Sequence, residues 1–122
     1  RVRAGANYGW PRVTGDETAP GLTPPVLHSG GDTWAPGDVA HRDGSLFWAG
    51  LRGASLYQAR LAAGGEASSP QLVRHFRDDF GRLRAVRVGP QGDLWLATSN
   101  RDGRGDPRPG DDRIVRVDGG VF

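Results

Sequence analysis

One short pattern occurs twice in this chain, and it limits the possible folds more than any other feature of the sequence. The first copy is Asp43–Ala49 and the second, 48 positions later, is Gln91–Ala97. Each copy runs from turn residues into an apolar segment with an aromatic side chain, and a further strand-like segment follows each, at 56–61 and 114–117. Repeats of this length, with turn and strand in a fixed order, are typical of the blades of a β-propeller.

Short strands joined by tight turns account for most of the chain from residue 37 onwards. Turns rich in Asp, Pro and Gly separate the apolar segments, and no segment has the period of an amphipathic helix. The apolar segments Leu46–Trp48 and Leu94–Leu96 are predicted to be buried on both faces. We predict seven strands, over residues 37–41, 45–49, 55–61, 71–76, 83–88, 93–98 and 113–117.

These strands predict an all-β chain with one four-stranded blade and about three strands of the next. We expect a turn and long loop over 1–36, a blade over 37–78 and an incomplete blade over 79–122. Each blade of a propeller buries its faces against its neighbours, so two blades are expected to belong to a larger propeller domain. The chain has no methionine, so Arg1 is not expected to be the initiator residue.

Charge and composition argue against several classes of partner. All 16 basic residues are arginine, but aspartates are interleaved with them and the formal net charge is only +2. A nucleic-acid surface needs basic residues clustered away from acids, so we expect no nucleic-acid partner. The absence of cysteine excludes disulfides and thiolate metal sites, and no apolar run is long enough to span a membrane.

Alignment of the two repeats at a constant spacing places Trp34–Pro36 opposite Arg82–Arg84, just before the first strand of each blade. The first strand of a propeller blade lies innermost, so these residues are expected at the mouth of the central channel. The two arginines project to the same side of an extended segment. They could bind a compact polyanion through bidentate hydrogen bonds, or they could form ion pairs with Asp78 and Asp79 at a solvated rim.

Five motifs, in sequence order, resemble the soluble quinoprotein glucose and aldose sugar dehydrogenases. They span nearly the whole chain: Asn7–Pro11, Thr33–Pro36, Ala49–Gly53, Gly81–Val86 with Gly89–Gly92, and Thr98–Gly105 with Gly110–Ile114. The resemblance implies the carboxy-terminal third of a six-bladed propeller that holds pyrroloquinoline quinone (PQQ) over its channel.

The resemblance also implies four cofactor-binding residues. The two family arginines that hold PQQ correspond to Arg82 and Arg84, and a family threonine corresponds to Thr33. A lysine that contacts the quinone side corresponds to Arg52, which keeps the charge but changes the reach and the hydrogen-bond geometry. PQQ carries three carboxylates and an ortho-quinone, so several cations would hold it and stabilise the charge that it gains.

The same resemblance places the catalytic residues outside this chain. The family's catalytic histidine, its Arg-Asn pair and the carbonyls that bind its catalytic calcium lie upstream of Asn7–Pro11, so a fragment with these limits is expected to be inactive. None of His28, His41 and His75 occupies a matching position. For calcium, the resemblance implies the backbone carbonyl of Tyr8 as one ligand of a structural ion.

Two further features allow more than one interpretation. The last long loop contains Asp102, Asp106, Asp111 and Asp112, but their spacing is not that of an EF-hand, and the glycines and prolines around them favour a solvent-exposed loop over a metal site. Trp34 could stack on a quinone or a sugar at the channel mouth, although packing in the blade core is the commoner role for such a residue.

The implied function of the parent enzyme is oxidation of the C1 hydroxyl of an aldose to the lactone, with PQQ as hydride acceptor and calcium as a second cofactor. Electrons would pass to an external acceptor in the periplasm or outside the cell, and a homodimer is compatible with the family. Two alternatives are a propeller that serves only as a binding module and a calcium-dependent propeller lactonase. Neither alternative requires two cations at Arg82 and Arg84.

Overall fold

The computed structural model describes residues 2–61 and 70–122. Arg1, in the predicted leading segment, and residues 62–69, in the predicted first blade, lie outside the described residues. The chain divides into two compact units, of which the first ends at Asp32 and the second begins at Thr33. Within the described residues, no helix has the length and apolar character needed to cross a membrane.

The first unit is built from turns and bends, and its described residues form no strand or helix. Side chains that accept hydrogen bonds from nearby backbone N–H groups hold these turns. Asn7 Oδ1 accepts from the Gly9 N–H (2.9 Å), and Glu17 Oε2 accepts from the Thr14 N–H (2.8 Å). Polar side chains commonly stabilise turns in this way, because they replace the hydrogen bonds that a strand or helix would supply.

The second unit contains two antiparallel sheets, of which the first has four strands in the order β1–β2–β3–β4. The turn between β1 and β2 is Asp43-Gly44, and both residues have positive φ (46° and 70°), as a two-residue type I′ hairpin requires. The strands are β1 (Pro36–Arg42), β2 (Ser45–Gly50), β3 (Ser55–Arg60) and β4 (Gln71–His75).

The second sheet has three strands in the order β5–β6–β7, and a single 3-10 turn follows it at Gly119–Val121. Its strands are β5 (Leu83–Val88), β6 (Leu94–Thr98) and β7 (Ile114–Val117). All seven predicted strands are confirmed to within one residue at either end. The predicted all-β class, with sheets of four and three strands and little helix, is confirmed as well.

The two sheets follow the sequence repeat, but not at one constant spacing. Ala49 of β2 pairs with Asp38 of β1, whereas Ala97 of β6 pairs with Ala85 of β5. The second strands are therefore related by 48 positions and the first strands by 47. The difference arises because the β5–β6 turn, closed by the bond from the Gly89 N–H to the Asp93 carbonyl, is one residue longer than the β1–β2 turn.

The sequence alignment used a constant offset of 48 positions, so it is wrong by one residue for the first strands and for the residues just before them. The carbonyl of Ala35 accepts a hydrogen bond from the Leu51 N–H (3.0 Å), and the carbonyl of Arg82 accepts one from the Ser99 N–H (2.9 Å). These two bonds occupy the same place in the two sheets. Ala35, and not Trp34, is therefore the structural counterpart of Arg82.

A continuous apolar core joins the two sheets. It draws side chains from β2, β3, β5, β6 and β7, and each large side chain that is fully buried stabilises the fold by about 1.5–3 kcal/mol. The buried members of the core are Phe47, Ala49, Leu56, Leu83, Val86, Leu94, Leu96 and Val117.

Each sheet also holds one polar pair at the same place in the repeat; Ser45, Gln58 and Asp93 are buried, whereas the side chain of Arg116 is half exposed. In the first sheet, Gln58 Nε2 donates to Ser45 Oγ (3.1 Å); in the second, Arg116 Nε donates to Asp93 Oδ2 (2.6 Å). The hydrogen bond from Arg116 holds the pKa of Asp93 below its ordinary value. The neutral hydrogen bond of the first sheet is therefore an ion pair in the second.

Polar contacts from β1 to the second sheet fix the two sheets against each other. Asp38 Oδ2 accepts a hydrogen bond from the Val86 N–H (3.1 Å) at the strand β5. At the other end of β1, the guanidinium of Arg42 donates to the carbonyls of Gly92 (2.6 Å) and Gly119 (3.1 Å). One side of β1 is thus tied along its length to the neighbouring sheet.

Burial on both faces, predicted for the central strand of each repeat, is observed in β2 but not in β6. Trp48 is buried and stacks on Tyr57 with ring centroids 5.3 Å apart. The prediction is wrong for Trp95, which is 41% exposed and lies beside the guanidinium of Arg116. The reason is that no further sheet in the described part of the chain covers that face of β6.

The approach of β1 to β5 generates a testable prediction at Gly37. A Cβ at this position would lie 2.6 Å from the carbonyl oxygen of Arg84, and backbone cannot move aside as a side chain can. We expect Gly37→Ala to lower the free energy of unfolding by about 1–3 kcal/mol, measured by denaturant titration. Gly31→Ala is the control, because a Cβ there meets nothing within 4 Å. Equal stability of the two variants would contradict the close approach.

Candidate functional site

The candidate site lies where β5 begins and β6 ends. Leu83 pairs with Thr98, so the antiparallel ladder returns the residues after Thr98 to a place beside Arg82. The bond from the Ser99 N–H to the Arg82 carbonyl extends this pairing by one step. The polar loop after β6 is therefore adjacent to Arg82, just before β5, and to Arg84, the second residue of β5.

One carboxylate bridges both predicted cofactor arginines. Asp102 Oδ2 lies 2.9 Å from Arg82 Nη2 and 3.1 Å from Arg84 Nη2. The alternative prediction of ion pairs with Asp78 and Asp79 names the wrong partners, since the ion pair of Asp78 is with Arg108 (3.7 Å). The arginines are paired, but their counter-ion comes from the loop after β6.

Asp102 is held as a carboxylate by these contacts. The hydrogen bond from Arg82 is the largest cause that lowers its pKa, and the backbone N–H of Arg104 and the hydroxyl of Ser99 add to it, so that the pKa falls to about 2. Two guanidinium groups share one negative charge. The cluster therefore keeps one net positive charge near neutral pH, which suits an anionic ligand.

The two arginines differ in how far their guanidinium groups are committed. The side chain of Arg82 is 14% exposed, and its Nη1 donates to the carbonyl of Leu51 (3.3 Å) in the turn between β2 and β3. The side chain of Arg84 is 53% exposed, and its Nε donates to Ser99 Oγ (3.0 Å). Within the described residues, Arg84 Nη1 has no hydrogen-bond partner, so Arg84 has a donor available for a ligand.

A cleft of about 200 Å³ lies beside this pair. Arg52, Arg82, Arg104 and Arg108 line it together with uncharged residues and two aspartates. The structure therefore brings predicted residues Arg52 and Arg82 into one cleft and places Arg84 next to Arg82 through their shared counter-ion. Thr33 is exposed at the start of the second unit, and no hydrogen bond within the described residues joins it to these arginines.

A buried amide fixes the backbone of the site. Asn100 Oδ1 accepts from the Arg82 N–H (2.8 Å), and its Nδ2 donates to the Phe80 carbonyl (3.0 Å) and to Asp111 Oδ2 (2.8 Å). The Asn100 N–H donates in turn to Asp112 Oδ1 (2.6 Å). Every polar atom of this side chain thus has a partner, as a buried amide requires.

The aspartates of the last loop stabilise the loop itself. Asp102, Asp111 and Asp112 accept hydrogen bonds from arginine, asparagine and backbone donors, while Asp106 is exposed at the edge of the cleft. The described residues contain no group of three or more His, Asp or Glu side chains arranged to hold a metal. The predicted calcium contact at the Tyr8 carbonyl stays a prediction.

The histidines and Trp34 have local structural contacts. His75 Nε2 is hydrogen-bonded to Gln58 Oε1 (2.9 Å), and burial, followed by the charge of Arg60, lowers its pKa. His28 Nδ1 accepts from the Gly30 N–H (3.1 Å), and His41 is exposed on β1. The ring of Trp34 lies 5.0 Å from that of Tyr57 and 5.4 Å from that of Trp48, which favours the core-packing interpretation of this residue.

Sequence reasoning missed three residues of the site: Ser99, Asn100 and Asp102. The signal that could have found them is the hairpin register. Once β5 and β6 are paired, the residues that follow β6 must return beside Arg82. The aspartate was noticed only as a metal candidate, because its partners lie 18 and 20 positions away in sequence.

Fold and site together define a class: a propeller-type all-β chain with a cationic cleft where a blade begins. The model of the glucose/sorbosone dehydrogenase family matches residues 1–106, and the chain belongs to this family. No match was found among curated proteins.

Solved structures share the fold over 93% of this chain. The PQQ-bound aldose sugar dehydrogenase of Streptomyces coelicolor is 41% identical, with a TM-score of 0.78. An oxidoreductase of Thermus thermophilus, assigned as a glucose dehydrogenase, is 43% identical, with a TM-score of 0.80. A further glucose dehydrogenase structure, 24% identical with a TM-score of 0.69, supports the fold alone.

This chain spans 33%, 34% and 36% of those three structures, respectively. It therefore corresponds to about a third of the length of the proteins that it resembles. The matches confirm the propeller fold and the family inferred from the sequence motifs.

The buried carboxylate of Asp111 predicts a pH-dependent contribution to stability. The hydrogen bond from the Arg108 N–H, together with the one from Asn100, holds its pKa below the ordinary value. A carboxylate with a lowered pKa stabilises the fold above its unfolded pKa of about 3.9, and this stabilisation is lost as the pH falls through the folded value. We expect Asp111→Asn to lower the melting temperature clearly at pH 7, with the difference from the unsubstituted protein shrinking below about pH 4.

Thermal unfolding followed by circular dichroism from pH 7 to pH 3 measures this difference. Asp79→Asn is the matched control, because the Asp79 side chain is exposed and makes no hydrogen bond within the described residues. A destabilisation by Asp111→Asn that stays constant over the whole range would show that the carboxylate charge is not its origin.

Proposed function

We propose that this chain forms part of the cofactor site of a PQQ-dependent sugar dehydrogenase. The observation that carries the proposal is the pair Arg82 and Arg84, which share the single counter-ion Asp102 beside a cleft lined by further arginines. The 41% identity to an aldose sugar dehydrogenase solved in its PQQ-bound form supports it.

The donor set fits the chemistry of the cofactor. PQQ is a compact tricarboxylate, and guanidinium groups bind carboxylates through charge-assisted, bidentate hydrogen bonds. Arg84, with an exposed guanidinium and an available Nη1, and Arg52, exposed at the cleft, would hold the carboxylate and quinone sides. When bound, PQQ supplies a hydride acceptor for oxidation at C1 of an aldose.

The residues of this chain bind and orient; they do not move the substrate proton. Arg84 and Arg52 place positive charge where a reduced cofactor gains negative charge, and such prearranged charge lowers the free energy of the charged state. Arg82 is bound to Asp102 and to the Leu51 carbonyl, so its contribution is to fix the cationic surface between the two sheets.

The activity proposed for the whole protein is oxidation of an aldose to its lactone, outside the cytoplasm, with calcium as a second cofactor and an external electron acceptor. The proton-accepting histidine would belong to a part of the protein outside this chain. Calorimetric titration of the full-length protein with PQQ in the presence of calcium, followed by assay of sugar-dependent dye reduction, tests the proposal.

Binding of PQQ with sugar-dependent dye reduction is the expected result. Binding of PQQ without dye reduction would overturn the dehydrogenase assignment and indicate a protein that only binds the cofactor. Lactone hydrolysis by protein free of PQQ, without PQQ binding, would replace it by a lactonase.

Substitution of the exposed arginine should separate cofactor binding from folding. We expect Arg84→Gln to weaken PQQ binding by about 10- to 100-fold, since a hydrogen bond to a charged group contributes about 1.5–3 kcal/mol. The melting temperature should change little, because this side chain is half exposed. An unchanged dissociation constant for PQQ in the titration would remove Arg84 from the site.

At Arg52, a conservative substitution can be compared with removal of the charge. The related dehydrogenases are expected to carry lysine here, so Arg52→Lys should retain dye-reduction activity to within about threefold, whereas Arg52→Ala should lose at least about tenfold. Steady-state assays at saturating and limiting PQQ measure both variants. Equal activity of the alanine variant and the unsubstituted enzyme would mean that this cation does not contact the cofactor.

A further inference from the structure

The loop carboxylate between the two arginines accepts four hydrogen bonds. Asp102 Oδ2 accepts from Arg82, from Arg84 and from Ser99 Oγ (3.2 Å), and its Oδ1 accepts from the Arg104 N–H (3.0 Å). The side chain is 21% exposed. Its Oδ2 is committed to three protein donors, and a carboxylate would repel an anionic ligand, so any favourable effect on such a ligand must pass through these partners.

Those partners come from different parts of the chain and are brought to one point. Arg82 precedes β5 and is bound to the Leu51 carbonyl of the β2–β3 turn, whereas Arg84 lies within β5 and Ser99 follows β6. The carboxylate therefore sets the distance and the relative orientation of the two guanidinium groups. It also occupies Nη2 of Arg84, which leaves Nη1 for another acceptor.

We propose that Asp102 is a positioning residue for the anion site: it fixes Arg82 and Arg84 as one rigid unit and leaves Arg84 as the member of the pair that contacts the ligand. The identity of the ligand as PQQ rests on the proposed function. The fixed arrangement of the arginines does not depend on it.

Positioning and simple neutralisation predict opposite effects when the charge of Asp102 is removed. If the carboxylate only cancels positive charge, its loss makes the site more cationic, and a trianion should bind more tightly. If it positions the arginines, its loss makes both side chains more mobile. Ligand binding must then order them, which costs conformational entropy, and the affinity falls. The sign of the change in affinity therefore separates the two roles.

The first experiment measures PQQ binding by calorimetry in the full-length protein, with Asp102→Asn, Asp102→Ala and Asp79→Asn compared with the unsubstituted protein. The asparagine keeps the size of the side chain but removes its charge, and only one of its two terminal groups can accept hydrogen bonds. We expect both Asp102 variants to weaken binding by about tenfold or more, as loss of a residue that supports a ligand contact commonly does.

Asp79→Asn is the control for charge alone. It removes one negative charge from the turn before β5, but its side chain makes no hydrogen bond within the described residues. We expect its PQQ affinity to be unchanged or slightly higher. Binding by both Asp102 variants that is as tight as in this control, or tighter, would overturn the positioning role.

A second experiment needs no cofactor. In protein labelled with ¹³C,¹⁵N-arginine and free of PQQ, slow rotation of a guanidinium group gives separate NMR signals for its Nη atoms. We expect such signals from both Arg82 and Arg84, assigned by Arg82→Lys and Arg84→Lys, and their collapse to averaged signals in Asp102→Asn. Free rotation of either group in the unsubstituted protein would overturn the proposal without any Asp102 variant.

The two experiments also distinguish failure of this inference from failure of the proposed function. An unsubstituted protein that shows both slow guanidinium groups but does not bind PQQ contradicts the proposed function and supports the positioning role. A protein that binds PQQ while the arginines rotate freely contradicts the positioning role and supports the proposed function.

Discussion

The buried side-chain amide of Asn100 is the interaction on which the site depends. It joins the connection that enters β5 to the loop that leaves β6, through the Arg82 N–H, the Phe80 carbonyl and the carboxylate of Asp111. Loss of any of these hydrogen bonds would lower the stability of the fold, because a buried donor or acceptor without a partner costs about 1–3 kcal/mol. The backbone beneath Arg82 is therefore fixed before any side chain of the cleft is considered.

The charges of the cleft are arranged on this fixed backbone. Asp102 binds both arginines, and a backbone carbonyl from the β2–β3 turn binds Arg82 as well, so one guanidinium is structural and the other is exposed. A site built in this way needs little reorganisation when an anion arrives, which is the main advantage of prearranged charge. The two arginines have different roles because their burial and contacts differ, although they are the same type of residue.

The strands and the fold class could be predicted because turn residues and apolar segments are local signals. The pairing of Arg82 and Arg84 with Asp102 is not a local signal, because it depends on how β5 pairs with β6 and on how the loop after β6 folds back, over 18 to 20 positions of sequence. Local pattern also failed at Trp95, where exposure depends on what packs against the sheet. The cofactor assignments of Arg52 and Thr33 came from resemblance; the structure places Arg52 at the cleft, whereas Thr33 has no contact with the arginines among the described residues.

The polar pairs of the two sheets, Ser45 with Gln58 and Asp93 with Arg116, show how a duplicated blade can diverge. Neither partner can be exchanged singly between the copies. An aspartate opposite Gln58 would bury an uncompensated charge, and a glutamine opposite Asp93 would leave one behind. The two positions of a pair must therefore change together, so each blade is expected to keep one matched pair or the other and not a mixture of the two.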